Sequence, residues 1–309
     1  MAFDRNHFYG LLVKGQVDAA MAYLRPFPDQ SELYQRYVAR FEAGEPTAYD
    51  VDEHLNAILA IYQAYFRDVF YRHASAEDAL EAMRKKCVAL FSLPDADTPF
   101  DAIEATRITE AFCSRALHFL GGRTGGYYGP YIWRTSERKQ YRVELPGGVQ
   151  DYAVVLLDNF LFKGWYDYVS FGAIGTGGWT GDDGVIHCDK SAYRLEDESF
   201  TVSLLKHEAQ HAMDLAEYPG MSSADLEYRA KLVELIYSCQ RNLLVPFAHE
   251  ADSSRESNGH SLAAHRIMEG FAAKAGSLRP PESYAIEETQ AIARELFTGS
   301  NAEMRAKYR

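Results

Sequence analysis

Basic charge is scarce in these 309 residues: 32 Lys and Arg stand against 44 Asp and Glu, a formal net charge of −12. Phosphate backbones are held by clustered Lys and Arg, so a nucleic-acid binder is not expected. No polybasic segment is there to hold an anionic membrane either. Long apolar runs are lacking too, and no stretch approaches the ~18 consecutive apolar residues of a transmembrane helix. MAFDRNHFYG has neither an apolar h-region nor a small-residue cleavage site, so no signal peptide is expected. Cysteine is sparse and scattered: Cys87, Cys113, Cys188 and Cys239 form no CxxC pair. That argues against a cysteine zinc site or a disulfide framework, and the expectation is buried, reduced thiols in a cytoplasmic protein.

What is present is ordinary globular composition, 47% hydrophobic and 25% charged, in a chain long enough for one large or two smaller domains. Aromatics are not scarce: 21 Tyr and 17 Phe suit cores and half-wet clefts alike. Residues 1–122 read as an all-helical region. Leu11, Leu12, Val17, Ala20, Met21 and Leu24 keep near-helical spacing, and Pro26 and Pro28 end that run. A long helix fits 50–73. Ser75 can cap another, with Asp78 returning the bond. Thr98 and Pro99 suit the start of a fourth, running to Gly121-Gly122.

The character changes from residue 123, where 123–309 is expected to form a second domain. TGGYYGPYIW, KQYRVELPGG, QDYAVVLLD, WYDYVSFGAIG and GVIHCD are short, aromatic and β-branched with glycine breaks, the chemistry of strands and turns. From about 199 helices return: TVSLLKHEAQHAMDLAEY, a break at YPGMSS, then ADLEYRAKLVELIYSCQRNLL, HSLAAHRIMEGFAAKA and a polar helix over 283–297. SSRESNGH reads as an exposed loop.

KHEAQHAMD, residues 206–214, carries the chemistry. His207 and His211 are four apart and share one face of a helix, so both Nε2 atoms can reach one ion. Glu208 is turned about 100° away from His207, too far round to ligate but well placed to act as general base on a water. A catalytic zinc site needs a third protein ligand and an open position. DLEYRAKLVEL offers Asp225, Glu227 and Glu234. Glu227 is favoured, in the first turn of a helix that Pro219-Gly220 lets fold back, with Glu234 its main rival and small Ala230 allowing close approach. The competing arrangement for Glu227 is a surface pair with Lys231. Asp214 could orient an imidazole as a second-layer acceptor. His249, His260, His265 and Tyr193 are candidates to stabilise an oxyanion. His187 reads as a strand residue with its own partner.

HEAQH followed by E227-Y-R-A resembles the gluzincin branch of the zinc metallopeptidases over about 25 residues. The resemblance implies a zincin-like α+β catalytic domain, with a small twisted sheet and active-site helices. It implies His207, His211 and Glu227 as zinc ligands and Glu208 as base, acting on a peptide or protein substrate. GAIGTGGW at 172–179 is not the exopeptidase motif of that group. In such enzymes a strand along the cleft precedes the first histidine helix and pairs with extended peptide. GVIHCDKSAY is the candidate strand, with GTGGWTGDDG as a lip. The alternative expectation is a non-catalytic, zinc-stabilised scaffold that binds a peptide or protein. Nothing in the sequence fixes the oligomeric state.

Overall fold

The computed structural model describes residues 3–95, 97–180, 185–254, 258–277 and 279–309. Helix and sheet are mixed, and the chain divides into two compact units. The first comprises Met1–Thr135 and Leu157–Thr176, the second Ser136–Leu156 and Gly177–Arg309. The sequence suggests a single division near residue 122. Residues 123–135 and 157–176 group with the helices instead, because Tyr128, Ile132, Phe162, Trp165 and Tyr168 are part of the first unit's core.

The first unit begins with α1 (Arg5–Leu12), α2 (Val17–Leu24) and α3 (Ser31–Tyr37), the last running into a π-helical turn at Val38–Glu42. Helix α4 (Glu53–Phe70) starts where the Asp52 carboxylate accepts the Leu55 amide. Leu55, Ile58, Leu59, Tyr62 and Phe66 bury one face of α4 at helical spacing. The expected cap of α5 (Ala76–Leu90) is present: Ser75 accepts from the Asp78 amide and donates to its carboxylate. Thr98 does not cap. Its hydroxyl turns back to the Asp95 carbonyl, and α6 (Phe100–Ile103) starts after Pro99. A π-helical turn leads into α7 (Thr109–Cys113), and this run stops well before Gly121. Ala116 takes a left-handed conformation, φ 55°, and β1 (His118–Leu120) follows. Pairing wins over helix continuation here because His118 stacks on Trp133 across the strands and Phe119 stacks on Phe112. Strands β2 (Arg123–Thr124) and β3 (Tyr127–Tyr128) form a small separate hairpin.

A long hairpin, β4 (Tyr131–Leu145) and β5 (Gly148–Lys163), contributes to both units. In the second unit Val143 and Leu145 of β4 and Tyr152, Val154 and Leu156 of β5 alternate into the core, as period-two patterning requires. WYDYVSFGAIG, expected as a strand, is instead helix α8 (Gly164–Ser170). Trp165, Tyr168 and Val169 lie at i, i+3 and i+4, so helical rather than alternating geometry buries all three on one face.

Strands β6 (Gly178–Thr180) and β7 (Ile186–Asp189) complete a sheet of order β1-β4-β5-β7-β6. Strand β7 therefore has a neighbour on each side and offers no edge to a peptide; β6 is the edge strand on that side. Of the expected lip, residues 181–184 lie outside the described residues, as do 255–257 of the expected exposed loop.

Then come α9 (Glu198–Thr201), α10 (Leu205–Glu217), α11 (Ser223–Tyr237), α12 (Leu244–Glu250), α13 (Gly259–Ala275) and α14 (Ile286–Tyr308). The helix expected over 224–244 breaks after Tyr237. There Glu198 accepts the Cys239 and Gln240 amides and the Ser238 hydroxyl, drawing the backbone out of helical pairing. The last helix runs well past residue 297, because Ser300 and Met304 are buried and Lys307 and Tyr308 bind Asp225. Among the described residues no helix is long and apolar enough to cross a membrane. All four cysteines are free, but only Cys87 and Cys188 are buried, and burial pushes both thiols up to about 12; Cys113 and Cys239 are exposed, contrary to expectation.

Candidate metal centre

His207, Glu208 and His211 sit in the first two turns of α10, and Glu227 in the first two turns of α11. Gly220, φ 85°, lets the chain reverse between them, and the Ser222 hydroxyl accepts the Asp225 amide to start α11. Contacts between the helices run in reverse order. Arg229 meets Asp214, Glu227 meets His211 and His207, and Glu234 meets His207, so α10 and α11 are antiparallel. Ala209 and Ala230 are fully buried, small enough for two helix backbones to come close.

The sequence-expected ligands converge. Ligand atoms of His207, His211 and Glu227 all lie within 4.8 Å of one another. The Glu227 carboxylate oxygens are 3.4 Å from His207 Nε2 and 3.4 Å from His211 Nε2, while the two Nε2 atoms are 2.9 Å apart. Tetrahedral zinc with bonds of about 2.0–2.1 Å needs donors about 3.3 Å apart. Two of the three separations match, and the imidazole pair is a few tenths of an ångström tighter. This group could hold a metal ion. Glu227 is not engaged with Lys231, whose ammonium is buried and pairs with Glu250 at 2.8 Å.

Charge favours a cation here. Burial pulls the His207 imidazole down, but hydrogen bonds to Glu227 and Glu234 outweigh it and raise its pKa to about 10. Burial pushes the Glu227 carboxyl up, and bonds to His207, His211 and His260 more than reverse this, holding it far below the usual carboxylate range. The two carboxylates beside His207 place negative charge around its ring, which favours a divalent ion as it favours a proton, and the two compete for the same nitrogen lone pair.

Glu234, the rival ligand, has another place. Its Oε1 is 2.7 Å from His207 Nδ1, the ring nitrogen facing away from the cluster. A carboxylate there fixes the tautomer that leaves Nε2 free to bind metal. Asp214 does not orient an imidazole: it accepts from Arg229 Nε at 2.8 Å, with both side chains buried. Asp225, the other acidic residue of that stretch, is held by Arg266, Lys307, Tyr308 and Ser222.

His260 and Tyr193 lie near the cluster. His260 Nδ1 lies 2.9 Å from Glu227 Oε2. Burial pushes the Tyr193 phenol up to about 12, with Glu208 and Glu234 among the negative charges adding to the effect. His187 stacks on Trp179, His265 pairs with Glu269, and His249 sits in the last turn of α12. Glu208 accepts a hydrogen bond from the Thr180 hydroxyl at the end of β6.

No family model matches this chain, and neither a curated protein nor a solved structure matches it. What the centre can do is therefore read from its own atoms.

Two measurements follow from this geometry. Glu234→Leu keeps volume but removes the Nδ1 acceptor, and metal affinity should fall roughly 10–100-fold, read by competition with a chromophoric chelator. Unchanged affinity would mean that Glu234 does not orient His207. Asp214→Ala leaves the Arg229 guanidinium buried with its hydrogen bonds to Ser300 and Asn301 but no carboxylate. Breaking such a pair costs about 3–5 kcal/mol, to be read from urea unfolding.

Proposed function

We propose that this protein is a zinc-dependent hydrolase of the gluzincin type that cleaves peptide bonds. The convergence of His207 Nε2, His211 Nε2 and the Glu227 carboxylate from two antiparallel helices, with Glu208 in the same helical turn, carries the reading. His207, His211 and Glu227 would hold the ion, which supplies Lewis acidity and brings the pKa of water towards 7. Glu208 takes the proton of the attacking water and returns it to the departing amine. Glu234 holds His207 in the ligating tautomer through Nδ1.

The test joins metal analysis to turnover. The purified protein should take up about one zinc per chain, and it should cleave members of a quenched fluorescent peptide library, with cleavage abolished by chelation and restored by zinc. A protein that binds zinc and loses thermal stability on chelation, yet cleaves nothing, would be the zinc-stabilised scaffold instead.

A further inference from the structure

The Glu208 side chain has one hydrogen-bond partner among the described residues, and it lies on the sheet rather than on a neighbouring helix: the Thr180 hydroxyl donates to Glu208 Oε2. Strand β6, which carries Thr180, packs beside α10. A Cβ on Gly178 would stand 2.7 Å from the His187 carbonyl and 3.1 Å from Leu204 Cδ1. Only glycine lets the strand lie so near both β7 and the residue that precedes α10. Thr180 is two residues on and faces the same side as Gly178, towards α10. Its register partner is Ile186, fully buried, so the end of β6 is anchored where the hydroxyl is presented.

A glutamate has three rotatable bonds, and on a half-exposed helix position nothing in the helix itself selects one rotamer. A hydroxyl donating to a carboxylate is a charge-assisted bond, among the stronger kinds. It occupies Oε2 and leaves Oε1 as the proton acceptor. We propose that Thr180 is a positioning residue for Glu208, holding the carboxylate in the one orientation from which Oε1 takes the proton of the attacking water. The proposal rests on the reading of Glu208 as the general base. If the bond is only a staple between strand and helix, its loss lowers stability and leaves turnover per folded molecule alone.

The experiment uses the full chain loaded with zinc and a peptide that the unaltered protein cleaves. Thr180→Val, isosteric but without the donor, should lower kcat on the order of 10–100-fold with KM and zinc content unchanged. Thr180→Ser should recover most of that loss. In the Glu208→Gln background, Thr180→Val should change the residual rate no further. A readout without turnover accompanies these: the Glu208 carboxylate 13C resonance of the metal-free protein should move in Thr180→Val and return in Thr180→Ser. If Thr180→Val keeps full kcat, if Thr180→Ser loses as much, or if the resonance is unmoved, the positioning role is overturned while the hydrolase reading stands. If the unaltered protein cleaves nothing, the hydrolase reading falls and takes this role with it.

Discussion

Glu208→Gln should bind zinc as the unaltered protein does and lose kcat by about 10²–10⁴-fold. The substitution keeps the volume and shape of the side chain. It also keeps an oxygen that can accept the Thr180 hydroxyl, so the α10–β6 contact is retained. Glu208 is not one of the three donors, so the donor set is left whole. What disappears is basicity: an amide cannot hold a proton at neutral pH. Zinc content by elemental analysis and turnover on a cleaved peptide, measured on one preparation, decide it. Turnover within a few-fold of the unaltered protein would remove Glu208 from the chemistry and leave the metal cluster without its assigned base.

The second large effect is loss of the ion. In His211→Ala only His207 and Glu227 remain of the three donors. Removing a residue that merely orients a ligand costs about 10–100-fold in affinity, so removing a ligand should cost more than ~100-fold. Turnover should fall with it, in contrast to Glu208→Gln, where metal and turnover separate. His211 is half-buried, and its Nδ1 has no partner among the described residues, so truncation strands no donor on that side. The fold should survive, as circular dichroism would show. Retention of stoichiometric zinc in folded His211→Ala would mean that the ion is held elsewhere.

The centre was legible because its signal is local. Two histidines four apart, a glutamate beside the first, and a helix break before the next acidic residue are all properties of one short stretch, and helix geometry alone puts the imidazoles on one face. The role of Glu234 was within reach as well. It lies seven residues after Glu227, two turns along the same face, and on an antiparallel helix that step leads from the shared ligand position back towards His207. Asp214 pairs elsewhere because α10 places it where Arg229, from α11, arrives first. Thr180 carried no signal at all, since its meeting with Glu208 depends on how an edge strand is seated against a helix.

Periodicity alone marks out α4, the Ser75 cap marks out α5, and the four-residue spacing of His207 and His211 gives their shared helical face. Those features depend on neighbours within a few residues, whose spacing and capping chemistry are fixed along the chain. Packing between elements is what turns Glu227 towards the histidines, sets Glu234 on the far side of His207, places β7 inside the sheet, and coils Trp165 to Val169 rather than extending them. Each of these turns on which distant surface is there to be covered, and that is set by packing between elements rather than by the pattern within one.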